Sequence, residues 1–337
     1  MNREYELDFV RNSSMIMIIL CHVFAEAGIK WGEQFNVGVI IFLFMSGYLA
    51  YREEYKKGWV FGKFKRILPE YYIFIFLYLI MTCFFAGREY SIKQFMINIL
   101  LLQGVFTGEG LPNIMHLWFI TYIMICYVAT PLLVCFIKKT KCILLALYLM
   151  LFQLFIVLLW GLGIEIVCSR FIAYFLGLYF AMKYKNIDKE IKYIMFIKKT
   201  VIPISIISLA RFYYELSAIQ IIFSEFENKV LGMIGQWIHM FWGIFLFFLL
   251  WYLGHVVLKK TDGKNKELIV AVSSRSYCIY IVHQIFIYHD YAITRYVNSF
   301  FVAILVGILC IIISSEILYQ LANRVRYLFK AESEKEK

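Results

Sequence analysis

One arginine and one histidine near the start of the chain have types and a spacing that could do chemistry. Arg11 and His22 are eleven residues apart. In an α-helix this is about three turns plus ~20°, so both side chains lie on one stripe, roughly 16 Å apart along the axis. Glu26 follows His22 by one helical turn and could hold one tautomer of the imidazole. Such a histidine can act as a general base or accept an acyl group, and Arg11 can hold an anion.

Each of these residues also has a structural interpretation. Arg11 could be an interfacial cation whose head group reaches the membrane surface, and His22 could be an interior histidine satisfied by its neighbours. Asp8 precedes Arg11 by three residues and could pair with it. The combination of Arg11, His22 and Glu26 on one stripe favours the chemical interpretation over the structural one.

The composition of the chain indicates what kind of structure carries these residues. Apolar residues make up 62% of the 337 residues and charged residues 17%, against about 45–50% and 25% in an ordinary soluble domain. This excludes a disordered chain and makes a soluble enzyme a poor fit, because a soluble surface needs more polar residues. The net charge of +11 falls in short clusters between apolar runs, as in a membrane topology and unlike a nucleic-acid-binding protein.

Ten segments of the chain meet the requirement for crossing a bilayer, about 20 mostly apolar residues. They are 9–27, 35–51, 67–86, 115–137, 142–160, 163–182, 200–219, 234–258, 275–293 and 298–321. We therefore predict an all-α bundle of about ten transmembrane helices, formed by a single domain over 1–330 and followed by a charged tail at 331–337. Pro69 falls in the first turn of its span, where proline is well tolerated. A short amphipathic helix is expected at 91–103, outside the bundle.

The distribution of cations predicts the orientation of this bundle. Most of the 34 lysine and arginine residues lie on one side of the membrane if the N-terminus is cytoplasmic. Both termini are then cytoplasmic, in a multi-pass protein of the cell membrane. Arg11 lies at the cytoplasmic rim in this orientation, and His22 lies in the outer half of the bilayer.

Five short motifs, in order along the chain, resemble those of the membrane acyltransferase-3 family. They are the spacing of Arg11 and His22 and the segments FLFMSGYLA (42–50), FGKFKRILPEYY (61–72), HLWFITYIMICYVATPLL (116–133) and SYCIYIVHQIF (276–286). The resemblance implies a membrane enzyme that moves an acyl group, usually acetyl, from cytoplasmic acyl-CoA to a hydroxyl beyond the membrane. The acceptors of the family include envelope polysaccharides, lipid-linked glycans and cell-wall sugars. The chain departs from the family pattern at Glu70 and Arg275, where small or neutral residues are more usual, and at Glu316, which lacks the usual following Lys-Pro.

The donor is expected at the cytoplasmic helix ends, where cations can hold the phosphates of acyl-CoA by charge-assisted hydrogen bonds. The candidate acyl-CoA-binding residues are Arg11, Arg66, Lys63, Lys65, Ser46 and Arg275. Ser46 precedes Gly47, which would permit the close helix approach that a narrow acyl path needs. The lysines are also what the positive-inside rule alone would place there, and helix packing alone would explain Gly47.

A second group of polar residues is expected in the outer half of the bundle, where the acceptor would arrive. The candidate acceptor-binding residues are His116, Trp118, Arg170, Arg211, His239 and His283. An arginine deep in a span costs about 2.5–3.5 kcal/mol on insertion scales, so Arg170 and Arg211 should face a protein cavity or a carboxylate partner. A cavity with such residues could bind an oxyanion or an acidic glycan.

These observations predict an acyl-CoA-dependent O-acetyltransferase in which His22, supported by Glu26, is catalytic and no metal takes part. No HExxH, Walker or Rossmann pattern occurs in the sequence. Whether His22 acts as a base or as an acyl carrier is left open. One alternative is an exporter of polysaccharide or lipid-linked sugar, since ten spans with interior charges also suit a transporter, although no inverted repeat is visible. A non-catalytic assembly partner is another, and a homo-oligomer is compatible with the sequence.

Overall fold

The computed structural model describes residues 4–52, 58–139, 168–183, 225–260, 263–288 and 290–335. Every regular element in these ranges is a helix. The α-helices are α1 (Tyr5–Glu26), α2 (Val37–Arg52), α3 (Trp59–Leu79), α4 (Ile92–Ile99), α5 (Trp118–Lys139), α6 (Cys168–Lys183), α7 (Glu225–Lys259), α8 (Gly263–Ile287) and α9 (Phe300–Lys335). Short 3-10 helices at Lys30–Asn36, Met115–Leu117 and Ile293–Arg295 precede α2, α5 and α9, and α3 continues as a π-helical stretch, Ile80–Phe85.

Seven segments of the described part are long and apolar enough to cross a membrane, as in a multi-pass membrane protein. They are Tyr5–Glu26, Lys30–Tyr51, Trp59–Phe85, Met115–Lys139, Gly235–Lys259, Gly263–Ile287 and Phe300–Leu328. Each corresponds to one predicted span. The predicted span 163–182 contains most of α6, whereas 142–160 and 200–219 lie outside the described residues, so the count of ten stays a prediction. Large apolar side chains on the outside of the bundle, such as Phe85 at 84% exposure, form the surface that lipid would cover.

α3 and α8 are among the helices that begin earlier than hydropathy predicts. α3 begins at Trp59, so the placement of Pro69 in a first turn is wrong, and this proline lies inside the helix. A proline there removes one intrahelical hydrogen bond. Two carbonyl groups just before it accept bonds from other helices, the carbonyl of Arg66 from Arg326 Nη2 at 2.9 Å and that of Ile67 from the Tyr277 hydroxyl at 3.2 Å. α8 begins at Gly263 because polar residues extend the helix beyond its apolar stretch.

α2 and α6 cross at a pair of glycines. A Cβ atom at Gly47 would lie 2.0 Å from the Tyr174 carbonyl oxygen, and one at Gly177 would lie 2.1 Å from the Phe44 carbonyl oxygen. The two backbones can be in contact only because neither residue has a side chain, which is the close approach predicted for Gly47. Aromatic side chains of α2, α6 and α7 pack around the crossing: Phe44, Tyr48, Phe180, Phe247, Phe248 and Trp251.

The segment between α4 and α5 packs into the bundle. The Tyr71 hydroxyl, near the middle of α3, donates to the Asn98 carbonyl at 2.6 Å. The backbone N–H of Gly104 donates to Thr121 Oγ1 on α5 at 3.1 Å, and Asn98 is buried. The helix expected at 91–103 is therefore present as the shorter α4, in which Ile97 and Asn98 are buried while Ile92, Lys93, Phe95 and Met96 stay exposed.

Candidate active site

α1 and α8 lie side by side and run in the same direction. Arg11 Nη1 donates to Ser273 Oγ at 3.0 Å, and Ser273 Oγ in turn donates to Asp8 Oδ1 at 2.6 Å. Arg11 Nη1 also lies 3.5 Å from Asp8 Oδ1, the pair that the spacing predicted. Further along both helices, His283 of α8 packs against His22 of α1. The stripe predicted on α1 is therefore faced by α8 at both of its ends, which we name the Arg11 end and the His22 end.

Three histidines from three elements meet at the His22 end. The ring centre of His283 lies 5.0 Å from that of His22 and 5.0 Å from that of His116, which precedes α5. His283 is 0% exposed and His116 is 5% exposed, whereas His22 is partly exposed. The structure thus brings two residues predicted to bind the acceptor to the residue predicted to be catalytic.

Backbone carbonyl groups determine which ring nitrogens of two of these histidines carry a proton. The Ile281 carbonyl lies 2.9 Å from His116 Nε2, and the Tyr280 carbonyl lies 2.6 Å from His283 Nδ1. A carbonyl can only accept, so in the neutral rings these nitrogens carry the hydrogen and the others are bare. Those others, His116 Nδ1 and His283 Nε2, are buried and have no hydrogen-bond partner in the described part of the chain. The site therefore holds two proton-accepting nitrogens close to His22.

The guanidinium group of Arg170 lies over the ring of Trp118 at the His22 end of the bundle. Its guanidinium carbon is 3.5 Å from the ring centre of Trp118 and 5.3 Å from that of Tyr122. Arg170 is half-buried on α6, and this stacking lets an arginine remain in an apolar setting. Because His116 lies two residues before Trp118, the two predicted acceptor-binding residues Trp118 and Arg170 are close to the three histidines.

A cavity of about 400 Å³ lies at the Arg11 end. Its polar wall includes Arg11, Ser46, Lys63, Arg66, Glu70 and Arg326, and most of the remaining wall is apolar or aromatic. Four of the six predicted acyl-CoA-binding residues therefore share one cavity. The positive charges of Arg11, Lys63 and Arg66 suit an anionic group, and the apolar wall suits an uncharged chain.

The other two predicted donor-binding residues do not line this cavity. Lys65 Nζ lies over the ring of Phe61, 4.7 Å from its centre. Arg275 forms two hydrogen bonds with the carboxylate of Glu316, and its guanidinium carbon lies 4.7 Å from the ring centre of Tyr319. Phe61 and Glu316 do not line the cavity, so Lys65 and the ion pair of Arg275 are directed to partners outside it.

Tyr280 separates the cavity from the histidines. It lines the cavity, and its ring centre lies 5.4 Å from that of His116 and 5.8 Å from that of His283. Its hydroxyl donates to the His116 carbonyl. Phe119 also lines the cavity and packs against Tyr280. At this point the wall between the cavity and the histidines is one aromatic side chain thick.

The structure also describes two further predicted residues, Glu26 and His239. Glu26 accepts a hydrogen bond from Thr294 Oγ1 at 2.6 Å and lies 3.9 Å from Arg295 Nε. Its Oε1 thus contacts the connection between α8 and α9, one turn further along the stripe than His22. His239 is half-buried on α7. Arg211 lies outside the described residues.

Sequence reasoning missed several polar residues of this region. Arg326 lines the cavity although it follows the last predicted span, and Ser273 bonds Arg11 although it precedes the span 275–293. A helical signal was present for Arg326, because Tyr319, Asn323 and Arg326 are spaced as one helix face and all line the cavity. Hydropathy could not detect it, because hydropathy marks only the apolar part of a helix.

Comparison with known proteins gives one match. Residues 4–320 of the chain match the family model described as an acyltransferase domain, acyltransferase-3. No curated protein and no solved structure matches the chain. The matched range covers the three histidines and all the named residues of the cavity except Asn323 and Arg326.

Proposed function

The chain belongs to this acyltransferase family, and we propose that it transfers an acetyl group from cytoplasmic acyl-CoA to a hydroxyl of an envelope glycan across the cell membrane. One observation carries the proposal: a cation-lined cavity and a group of three histidines lie along the same pair of helices, separated by Tyr280. A transfer across a membrane needs two such parts, because its donor and acceptor arrive from opposite sides. In the proposed orientation the Arg11 end is cytoplasmic, as the cation distribution predicts.

The donor would enter at the Arg11 end. Arg11, Lys63 and Arg66 would hold its phosphates, and the apolar wall would take the arm that carries the thioester. His22 lies roughly 16 Å beyond Arg11 along α1. The thioester would therefore have to reach into the bundle, past Tyr280, before it could react.

His22 would then act as a general base. It takes the proton of the acceptor hydroxyl as the hydroxyl oxygen attacks the thioester carbon, so the C–O bond forms and the C–S bond breaks. The departing thiolate of CoA takes up the proton that His22 carries. In the alternative covalent route the acetyl group first rests on His22, and labelled protein would accumulate when the acceptor is absent.

The acceptor would approach the His22 end, where the guanidinium group of Arg170 stacks on the ring of Trp118. Aromatic rings bind the apolar faces of sugars, and an arginine can bind an acidic group on a glycan. A glycan or a lipid-linked glycan at the membrane surface is therefore the acceptor that the site supports best.

The test uses the purified protein in sealed vesicles of one orientation. Acetyl-labelled acetyl-CoA is supplied at the Arg11 side and envelope glycan at the other side. We expect CoA to appear on the donor side as labelled glycan appears on the opposite side, with equal amounts of each. Transport of glycan without consumption of acetyl-CoA would contradict the enzyme and favour an exporter.

A further inference from the structure

Glu70 places a buried carboxylate in the wall of the cavity. The residue is 4% exposed, and its Oε1 accepts a hydrogen bond from Arg326 Nη2 on α9. Its Oε2 is buried and has no hydrogen-bond donor in the described part of the chain. Because a buried carboxylate oxygen without a donor is unfavourable, the position indicates a ligand that supplies one.

Three hydroxyl groups of the same wall are already engaged. The hydroxyls of Ser276 and Tyr277 donate to backbone carbonyls at 2.8 and 3.2 Å, and that of Tyr280 also donates to a backbone carbonyl. All three residues line the cavity with Glu70. These donors therefore do not serve Glu70, which lines the cavity with one carboxylate oxygen that has no donor in the described part of the chain.

Three charged residues of α3 line the cavity in a defined order along the helix axis. Lys63 and Glu70 are seven residues apart, so they share one helix face, with Glu70 roughly 10 Å further along the axis. Arg66 lies between them and also lines the cavity. Beyond these two cations, Glu70 and Arg326 neutralise each other and leave one hydrogen-bond acceptor.

We infer that Glu70 determines donor specificity by accepting a hydrogen bond from an amide N–H of the pantetheine arm. The inference rests on the proposed acyl-CoA donor. In acyl-CoA the phosphates are followed by an uncharged arm with two amide N–H groups and then by the thioester, which is the order of charges along α3. A phosphate beside Glu70 has no N–H group to donate, so Oε2 would stay without a hydrogen-bond donor. Glu70 therefore selects a thioester on an amide-bearing arm and excludes a short acyl phosphate from the inner part of the cavity.

The experiment pairs a change in the donor with a change in the protein. Two analogues of acetyl-CoA are used, each with one amide N–H replaced by an ester oxygen, and kcat/KM is measured for each. We expect the wild type to discriminate against one analogue by about tenfold or more, because hydrogen bonds to a charged group are the stronger ones. In the double variant Glu70→Ala/Arg326→Leu, which removes the carboxylate with its cation, this ratio should fall to less than about threefold.

Two results would overturn the inference: equal use of both analogues and acetyl-CoA by the wild type, or undiminished discrimination by the double variant. If the double variant does not fold, Glu70→Gln replaces it, and the discrimination should fall by about threefold because a neutral acceptor binds an N–H less tightly. Unchanged discrimination in Glu70→Gln would also overturn the inference. A wild type that uses no acetyl-CoA would contradict the proposed function itself, whereas use of acetyl-CoA without any effect of Glu70 would contradict only this inference.

Discussion

The imidazole rings of His22 and His283 lie 5.0 Å apart, centre to centre, at a tilt of 48°. They belong to different helices, so the surroundings of His22 depend on α8 as much as on α1. From the sequence we expected the carboxylate of Glu26 beside His22, and the structure adds the ring of His283, whose Nε2 has no hydrogen-bond partner in the described part of the chain. The base would thus work beside proton acceptors that carry no charge of their own.

The first prediction concerns His22. We expect His22→Ala to lower the rate of acetyl transfer by roughly 10²–10⁴-fold, the usual range for a general base. Acyl-CoA affinity and the thermal unfolding temperature should change little, because the donor cavity lies at the other end of the stripe. Cys21→Ala, a partly buried neighbour on the same helix, is the matched control. Near-normal transfer by purified His22→Ala would exclude His22 from catalysis.

The second prediction concerns the bare nitrogens of His283 and His116. In His283→Asn the amide can still donate to the Tyr280 carbonyl, and in His116→Gln it can still donate to the Ile281 carbonyl, but each change removes the bare nitrogen. We expect kcat to fall about tenfold or more in both variants, while the unfolding temperature stays close to that of the wild type. A loss of stability with an unchanged kcat would show that these histidines serve only packing.

The third prediction separates cations that line the cavity from one that does not. Lys63→Gln and Arg66→Gln should each weaken acyl-CoA binding by about threefold to tenfold at low salt, and by less at high salt, because the contact is electrostatic. Lys65→Gln is the matched control, since Lys65 stacks on Phe61 outside the cavity. Isothermal titration with acetyl-CoA at two salt concentrations measures the effect. Equal weakening by all three variants would mean that only the net charge of this end matters.

The fourth prediction concerns the crossing of α2 and α6. Gly47→Ala puts a methyl group 2.0 Å from the Tyr174 carbonyl oxygen, and backbone cannot move aside as a flexible side chain can. We expect a loss of about 1–3 kcal/mol in unfolding free energy, seen as a lower unfolding temperature in detergent. Gly62→Ala is the control, because nothing lies within 4 Å of a Cβ atom there. Its helix should be unaffected or slightly stabilised. Equal stability of the two variants would contradict the close contact.

Helical periodicity predicted those parts of the site that depend on one helix. The shared stripe of Arg11 and His22, the pairing of Asp8 with Arg11 and the contact at Gly47 follow from spacing or residue size alone. Partners on other helices could not be found in this way. Glu26 has the right spacing for His22, yet its partner Thr294 comes from a connection that only the tertiary fold brings near.

Hydropathy also limited what could be predicted about helix ends. It located seven spans that the described helices confirm, but it missed the polar turns that extend α3, α8 and α9. Those turns carry Lys63, Ser273 and Arg326, which all line the cavity. The physical reason is that a helix can continue beyond the bilayer into water where its residues are polar, and hydropathy does not mark such residues.

The glycine crossing restricts how the bundle can move. A slide of α2 along α6 by one turn would bring Leu43 or Tyr51 to the place of Gly47, against the Tyr174 carbonyl group. Neither side chain fits where a single added carbon already overlaps an oxygen. At this seam the two helices are locked in register, so a screw-like or ratcheting stroke between them is blocked. The proposed transfer across the bundle must then rely on the reach of a flexible substrate arm and not on a slide of α2 along α6.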